Sequence, residues 1–171
     1  LINIALEGLY GDMAQMITMK QLINMVYTAN GEHRYTSFQI PKKKKGEFRT
    51  IDAPIPTLKN IQRGLNSVLQ AVYKPHQAAK GFVKGFSVVD NARAHISQRY
   101  IFNIDLKDFF PSIHSGRVYA RLLAKPFSLP PEIASIICDL CCFTNSEGHK
   151  ALPQGAPTSP TLTNIICERM D

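Results

Sequence analysis

Residues 100–113 constrain this chain more than any other stretch. Tyr100 to Ile104 is an apolar, β-prone run, and Asp105 sits where the run ends. A tight turn with Phe109 and Phe110 follows, closed by Pro111 and leading to Ser112 and Ile113. An apolar run bounded by turn residues predicts a buried strand. A strand end is a rigid mount, from which a carboxylate is aimed at a ligand. A structural Asp capping its own turn is the competing reading, and other parts of the chain decide between the two.

At 171 residues and 44% hydrophobic content the chain has the size of one ordinary domain. It shows neither an apolar run of membrane-spanning length nor a signal-peptide pattern, so a cytoplasmic setting is expected. Four Cys, three of them at Cys138, Cys141 and Cys142, do not form a disulfide framework and fit a reducing compartment. The first residue is Leu1 and the last, Cys167 to Asp171, read as helix; a piece of a longer protein is expected. The net charge of +7 is uneven. Residues 42–103 hold twelve Lys/Arg against three acids, or +9, while the segments on either side are each −1. Such a local block predicts a surface for a polyanion, nucleic acid or nucleotide phosphate.

Helical spacing with Thr18 as cap predicts a helix from Thr18 to Asn30, stopped at Gly31. Tyr35 to Ile40 reads as a strand closed by Pro41. It is the first arm of a hairpin with a basic tip, Lys42 to Gly46, and a returning strand, Glu47 to Asp52. Thr57 to Tyr73 reads as a helix capped by Thr57, with Leu58, Ile61, Leu65, Val68, Leu69 and Val72 as its apolar stripe. Lys59 and Arg63 share another face, either solvated or along a nucleic-acid strand. His76 to Phe86 is a loop with Lys80, Phe82, Lys84 and Phe86, and Ser87 caps a helix through Gln98 that carries Asn91 and His95. Helices are also expected at His114–Ala124 and from Pro131 to about Cys142, with a turn at 145–148. Cys138 and Cys141 have zinc-ligand spacing, but on an apolar helix they read as buried thiols. From Leu152 to Pro160, three Pro and a Gly impose a kinked loop that presents Gln154, Thr158 and Ser159 at the start of a helix from Thr161. A rigid connector is the alternative.

In order, these blocks are the basic hairpin with Arg49, Leu58-Lys59 with Gln62 and Leu65, Gly81-Phe82, Asn91-Ala92 with His95, Asp105-Leu106 with Phe109-Phe110-Pro111-Ser112-Ile113, and Leu152-Pro153-Gln154-Gly155 through Pro160. The series resembles the fingers and first palm segments of bacterial reverse transcriptases of the retron and group II intron type, over roughly residues 35 to 171. The run Asn-Ala-x-x-His favours retrons. The resemblance implies an α/β (α+β) fold: the fingers and incomplete palm of a right-hand polymerase, an antiparallel palm sheet with packed helices. It divides the chain into a helical segment at 1–34, fingers at 35–99 and a partial palm at 100–171.

It also implies RNA-directed DNA synthesis, in which two Mg²⁺ ions about 3.5–4 Å apart clamp the attacking and leaving oxygens. Mn²⁺ is the alternative ion. Asp105 and the Leu106 carbonyl would be metal ligands. Arg49 with Lys42 or Lys43 would grip the triphosphate. Asp108, Phe109 and Phe110 would line the dNTP, with Phe110 excluding a ribose 2′-hydroxyl; as bare side chains, both rings read equally as core. Gln154 would lie against the nucleotide and Gly155 would let the backbone approach. Lys44, Lys45, Lys59, Arg63, Lys80, Lys84, Asn91, His95, Pro153 and Ser159 would meet nucleic acid. The implied partners are an RNA template, a DNA or RNA primer, dNTPs and a dedicated structured RNA, with no membrane.

The sequence departs from the family pattern in lacking Tyr-x-Asp-Asp, and Asp171 does not replace it. The chain alone is therefore expected to be catalytically silent, with an uncovered strand edge or apolar helix face. Phe86 stands where relatives often carry a basic residue. Two other readings remain: a polymerase-like protein that only binds nucleic acid, and an unrelated basic RNA-binding domain, for which Tyr73, Phe82 and Phe86 would be the stacking aromatics.

Overall fold

The computed structural model describes residues 1–27, 34–145 and 147–168. Its elements are α1 (Ile2–Tyr10), α2 (Met19–Tyr27), β1 (Tyr35–Pro41), β2 (Phe48–Pro54), α3 (Pro56–Val72), α4 (Val88–Arg93), α5 (Ser115–Leu123), α6 (Pro131–Cys141), β3 (Phe143–Thr144), β4 (Lys150–Ala151) and α7 (Ser159–Cys167). Helices and two small antiparallel sheets, β1–β2 and β3–β4, make a mixed α/β architecture. The expected helix end at Asn30, the stop at Gly31 and the remark on Asp171 lie outside the described residues.

Helix α3 joins the two halves of the core. Its Leu58 and Ile61 pack with Tyr35, Leu140 and Ala156, whereas Leu65 and Leu69 pack with Ile113, Val118, Leu122, Cys138, Leu152 and Leu162. Full burial of each such aliphatic contributes about 1.5–3 kcal/mol. Gln62 lies between the two clusters, fully buried. It donates to the Tyr35 hydroxyl at 2.9 Å and to the Leu140 carbonyl at 2.8 Å, which ties β1 and α6 to α3. Val72, placed in the stripe, is instead 47% exposed on an apolar groove of about 560 Å³ with Ile2, Leu22, Val68, Leu129 and Ile137.

Local chemistry explains most element ends. Thr18 and Gln21 form a reciprocal cap: each backbone N–H donates to the other side chain, at 2.9 and 3.2 Å. Thr57 does not cap α3; Ile55 holds the cap position and Pro56 enters the first turn. Ser87 caps α4 as expected, through a capping box with Asp90. That helix ends at Arg93 rather than Gln98, and 94–97 continue as turns. The hairpin forms as expected, with Ile40 opposite Arg49 and Pro41 opposite Phe48. Pro41 ends the strand, where its missing N–H costs no ladder bond.

Residues 100–104 form no strand. Tyr100 is 81% exposed and Phe102 87%, with Ile101 and Ile104 also exposed. A strand requires a neighbour for its N–H and C=O groups, and neither sheet of the described residues borders this run. Its exposed apolar side chains belong to neither a strand edge nor a helix face.

Candidate nucleotide and nucleic-acid site

Three segments with candidate residues are joined in series by backbone hydrogen bonds. The Asp52 N–H on β2 donates to the Gln154 carbonyl at 2.9 Å, and the Leu152 N–H donates to the Ile113 carbonyl at 3.0 Å. The hairpin of Arg49, the loop of Gln154 and Gly155, and Ile113 at the end of the 107–112 turn thus form one ledge, and Asp105 lies in the irregular run just before that turn. A β-carbon on Gly155 would lie 2.9 Å from the Asp52 oxygen and 3.0 Å from Ile51 Cγ2. Ile51 therefore faces the loop. Side chains two apart along a strand share a face, so Arg49 projects from the same side of the hairpin.

The turn has its own geometry. Ser112 N–H donates to the Asp108 carbonyl and Ile113 N–H to the Phe110 carbonyl, both at 3.0 Å. The Ser112 hydroxyl donates to the Phe109 carbonyl at 2.7 Å. Asp108 adopts a left-handed backbone at φ 47, which Asp tolerates better than most residues. Asp105, Leu106 and Asp108 are exposed. Phe109 and Phe110 are half-buried against the core, their ring centroids 5.8 Å apart, and the Phe110 ring lies 6.5 Å from that of Phe82.

At the basic tip, Glu47 lies 2.8 Å from Lys44 and 3.9 Å from Lys42. Exposed pairs of this kind contribute about 0–1 kcal/mol. Lys43, Lys45 and Arg49 pair with no described acid. Lys59, Arg63, Lys84, Asn91 and His95 are exposed, but His95 lies in the turns beyond α4. The Lys80 ammonium is 4.1 Å above the Phe86 ring. Hydrogen bonds from Ser87 hold the Asp90 carboxyl below the usual carboxylate range.

Several placements require correction. Pro153, Thr158 and Ser159 are buried, not presented to a ligand. The Ser159 hydroxyl donates to the Pro153 carbonyl at 2.8 Å, so this pair shapes the loop from inside. Tyr73, named as a stacking aromatic, is 4% exposed and donates to the Asn164 carbonyl at 3.0 Å. The thiols of Cys138, Cys141 and Cys142 are buried, and burial pushes Cys141 up to about 12. Two anchors escaped the sequence reading. Asn164 donates to the Gly81 carbonyl at 3.0 Å and Gln70 to the Thr161 hydroxyl at 3.1 Å, which docks the 80s loop on α7 and α7 on α3. No local pattern links residues so far apart in the chain.

The family model described as reverse transcriptase (RNA-dependent DNA polymerase) matches residues 40–171. The retron Ec86 reverse transcriptase of Escherichia coli is 34% identical over 159 residues, 92% of this chain and 47% of that protein. The retron Mx162 reverse transcriptase of Myxococcus xanthus is 38% identical over 150 residues, 80% of this chain and 30% of that protein. The retron Mx65 reverse transcriptase of the same organism is 34% identical over 152 residues, 80% and 34%. The chain thus spans about half the length, or less, of these relatives. No helix among the described residues is long and apolar enough to cross a membrane. With the family model matching residues 40–171 and these relatives, the chain belongs to the reverse transcriptase family, and the relatives named are of the retron type.

Proposed function

We propose that this chain supplies the fingers and the opening of the palm of an RNA-directed DNA polymerase, which joins dNTPs to a primer 3′-hydroxyl on an RNA template. The observation that carries the reading is the ledge: the strand of Arg49, the Gln154–Gly155 loop and the turn leading to Ile113, bonded in series, with Asp105 in the run just before that turn. Residues 1–34, 35–99 and 100–171 would act as helical segment, fingers and partial palm.

Arg49 and Lys43, with Lys42 released from Glu47, bind the β- and γ-phosphates through charge-assisted hydrogen bonds. Phe110 packs beneath the sugar, Asp108 and Phe109 shape the turn, and Gln154 rests against the nucleotide. The exposed cations of the 42–103 block track the template and primer backbones, and a dedicated structured RNA is the natural further partner. Asp105 and the Leu106 carbonyl are exposed hard oxygen donors, and so fit Mg²⁺, or Mn²⁺, in kind. A bound ion would supply charge stabilisation at the reacting oxygens. Among the described residues no three His, Cys, Asp or Glu gather to hold an ion, so the 171-residue chain assayed alone should be silent. The alternative is a polymerase-like protein that only binds nucleic acid, for which the basic block of residues 42–103 would suffice.

Primer extension on an RNA template separates the two readings, using a full-length polymerase that carries this segment. Asp105→Asn should lower turnover at least about 100-fold, and Arg49→Ala should raise the dNTP KM about tenfold, the equivalent of one charged hydrogen bond. An unchanged rate for Asp105→Asn removes the metal-ligand role. If the unsubstituted polymerase binds primer–template but extends nothing, the binding-only reading stands.

A further inference from the structure

The geometry points to a nucleobase pocket apart from the triphosphate and metal residues: the cavity between α3, α7 and the 80s loop takes one unstacked base of a single-stranded RNA, its ring against Phe82. This rests on the nucleic-acid reading above. The cavity holds about 260 Å³ and is lined by Gln70, Pro75, Phe82, Lys84, Thr161 and Asn164 among others.

Its wall is an aromatic face. Phe82 is 66% exposed, and its backbone is left-handed at φ 58. A bulky residue holds that conformation only where its surroundings fix it. The Asn164 bond to the Gly81 carbonyl does so on one side, and the Phe110 ring at 6.5 Å backs it on the other.

The rim is polar and fixed. Gln70 and Asn164 each spend one N–H on the internal bonds to Thr161 and Gly81. Each amide keeps a carbonyl oxygen and a second N–H, the complement of a base edge, which mixes donors and acceptors. Lys84 is exposed at the mouth, placed for the phosphate of the same nucleotide. A π-face, amide edges and a cation together are the elements that recognise unpaired nucleotides. An apolar ligand would leave the amides and the ammonium without partners. Gln70, Pro75, Phe82 and Lys84 of the lining fall within residues 42–103, the region that holds the charge excess and draws a polyanion. A base within a duplex offers no free face to Phe82, which restricts the site to single strands.

The test uses a short oligouridylate carrying 5-iodouridine, which photocrosslinks to stacked aromatic rings. The crosslink should map to the peptide holding Phe82. Phe82→Ala should weaken binding about 5- to 100-fold with an unchanged salt slope, since no charge is removed. Phe82→Tyr should retain both affinity and crosslink, whereas Lys42→Ala with Lys43→Ala should lower the slope. Crosslinks confined to other peptides, with Phe82→Ala binding as tightly as the unsubstituted protein, overturn the pocket. Binding that ignores salt in the unsubstituted protein instead defeats the polymerase reading itself. Because Phe82 is largely exposed its variants should fold, and thermal melts followed by circular dichroism check this. If Phe82→Ala melts early, the Phe82→Tyr crosslink still decides the outcome.

Discussion

Asp52 and Gln154 are joined by a 2.9 Å backbone hydrogen bond, and the residue after Gln154 is pressed against the same strand. Gly155 has φ +138, and a β-carbon there would meet the Asp52 oxygen at 2.9 Å. Both the conformation and the space demand glycine. Gly155→Ala should therefore cost about 1–3 kcal/mol of stability and separate the hairpin of Arg49 from the loop of Gln154. Gly148→Ala is the control: it has positive φ at +81 but open space around it, so it should lose less. Chemical denaturation of the two variants checks the stability difference. Equal losses would show that backbone strain alone matters and that the contact with β2 is dispensable.

The parts of this ledge that were legible in the sequence are those fixed by short-range rules. Alternation before Pro41, glycine at 46 and the returning strand from Glu47 specify the hairpin locally. The prolines at 153 and 157 dictate an irregular loop whatever surrounds them, whereas Pro160 enters the first turn of α7, which starts at Ser159 rather than Thr161. Tyr100 to Ile104 carries an equally strong local signal, yet forms no strand, because strand formation depends on a neighbour that local sequence does not supply. The burial of Ser159 was equally unreadable. A hydroxyl at a helix start serves a ligand or a carbonyl alike, and here the Pro153 carbonyl takes it. The docking of Asn164 on Gly81 depends on the fold bringing distant residues together.

Two buried acids predict an alkaline limit to stability. Burial raises the Cys141 thiol from 9.0 to about 12, and burial likewise raises the Tyr35 phenol above its ordinary 10.0. A group whose folded pKa is raised contributes its full stability below the unfolded pKa and loses it as pH climbs toward the folded value. Stability should therefore be flat near neutrality with respect to these groups, fall from about pH 9 as Cys141 enters its window, and steepen above about pH 10 with Tyr35. Each group contributes a slope of about 1.4 kcal/mol per pH unit within its window. Urea midpoints between pH 7 and 11 give the measurement. Cys141→Ala should cost stability at neutral pH through the cavity it leaves, yet show a shallower alkaline fall. A slope unchanged by Cys141→Ala would mean that the thiol ionises elsewhere than in this window.

Phe110 offers the sharpest test of which nucleotide the ledge accepts. Its ring is half-buried, stacked obliquely on Phe109 and backed by Phe82, a placement that suits either a core aromatic or a steric floor under a sugar. The two roles separate in kinetics. A floor acts on the difference between dNTP and rNTP, whereas a core ring acts on stability and on both substrates alike. In the full-length polymerase, Phe110→Val should lower the ratio of kcat/KM for dNTP over rNTP at least about tenfold, an effect of about 1.4 kcal/mol on relative transition-state binding. Phe109→Val, against the same core, should lower stability while leaving that ratio near its original value. Single-nucleotide incorporation with matched dNTP and rNTP reads the ratio directly, and thermal melts read the stability of each variant. A preserved ratio in Phe110→Val, alongside a stability loss matching that of Phe109→Val, would assign the ring to the core and leave sugar selection to another residue.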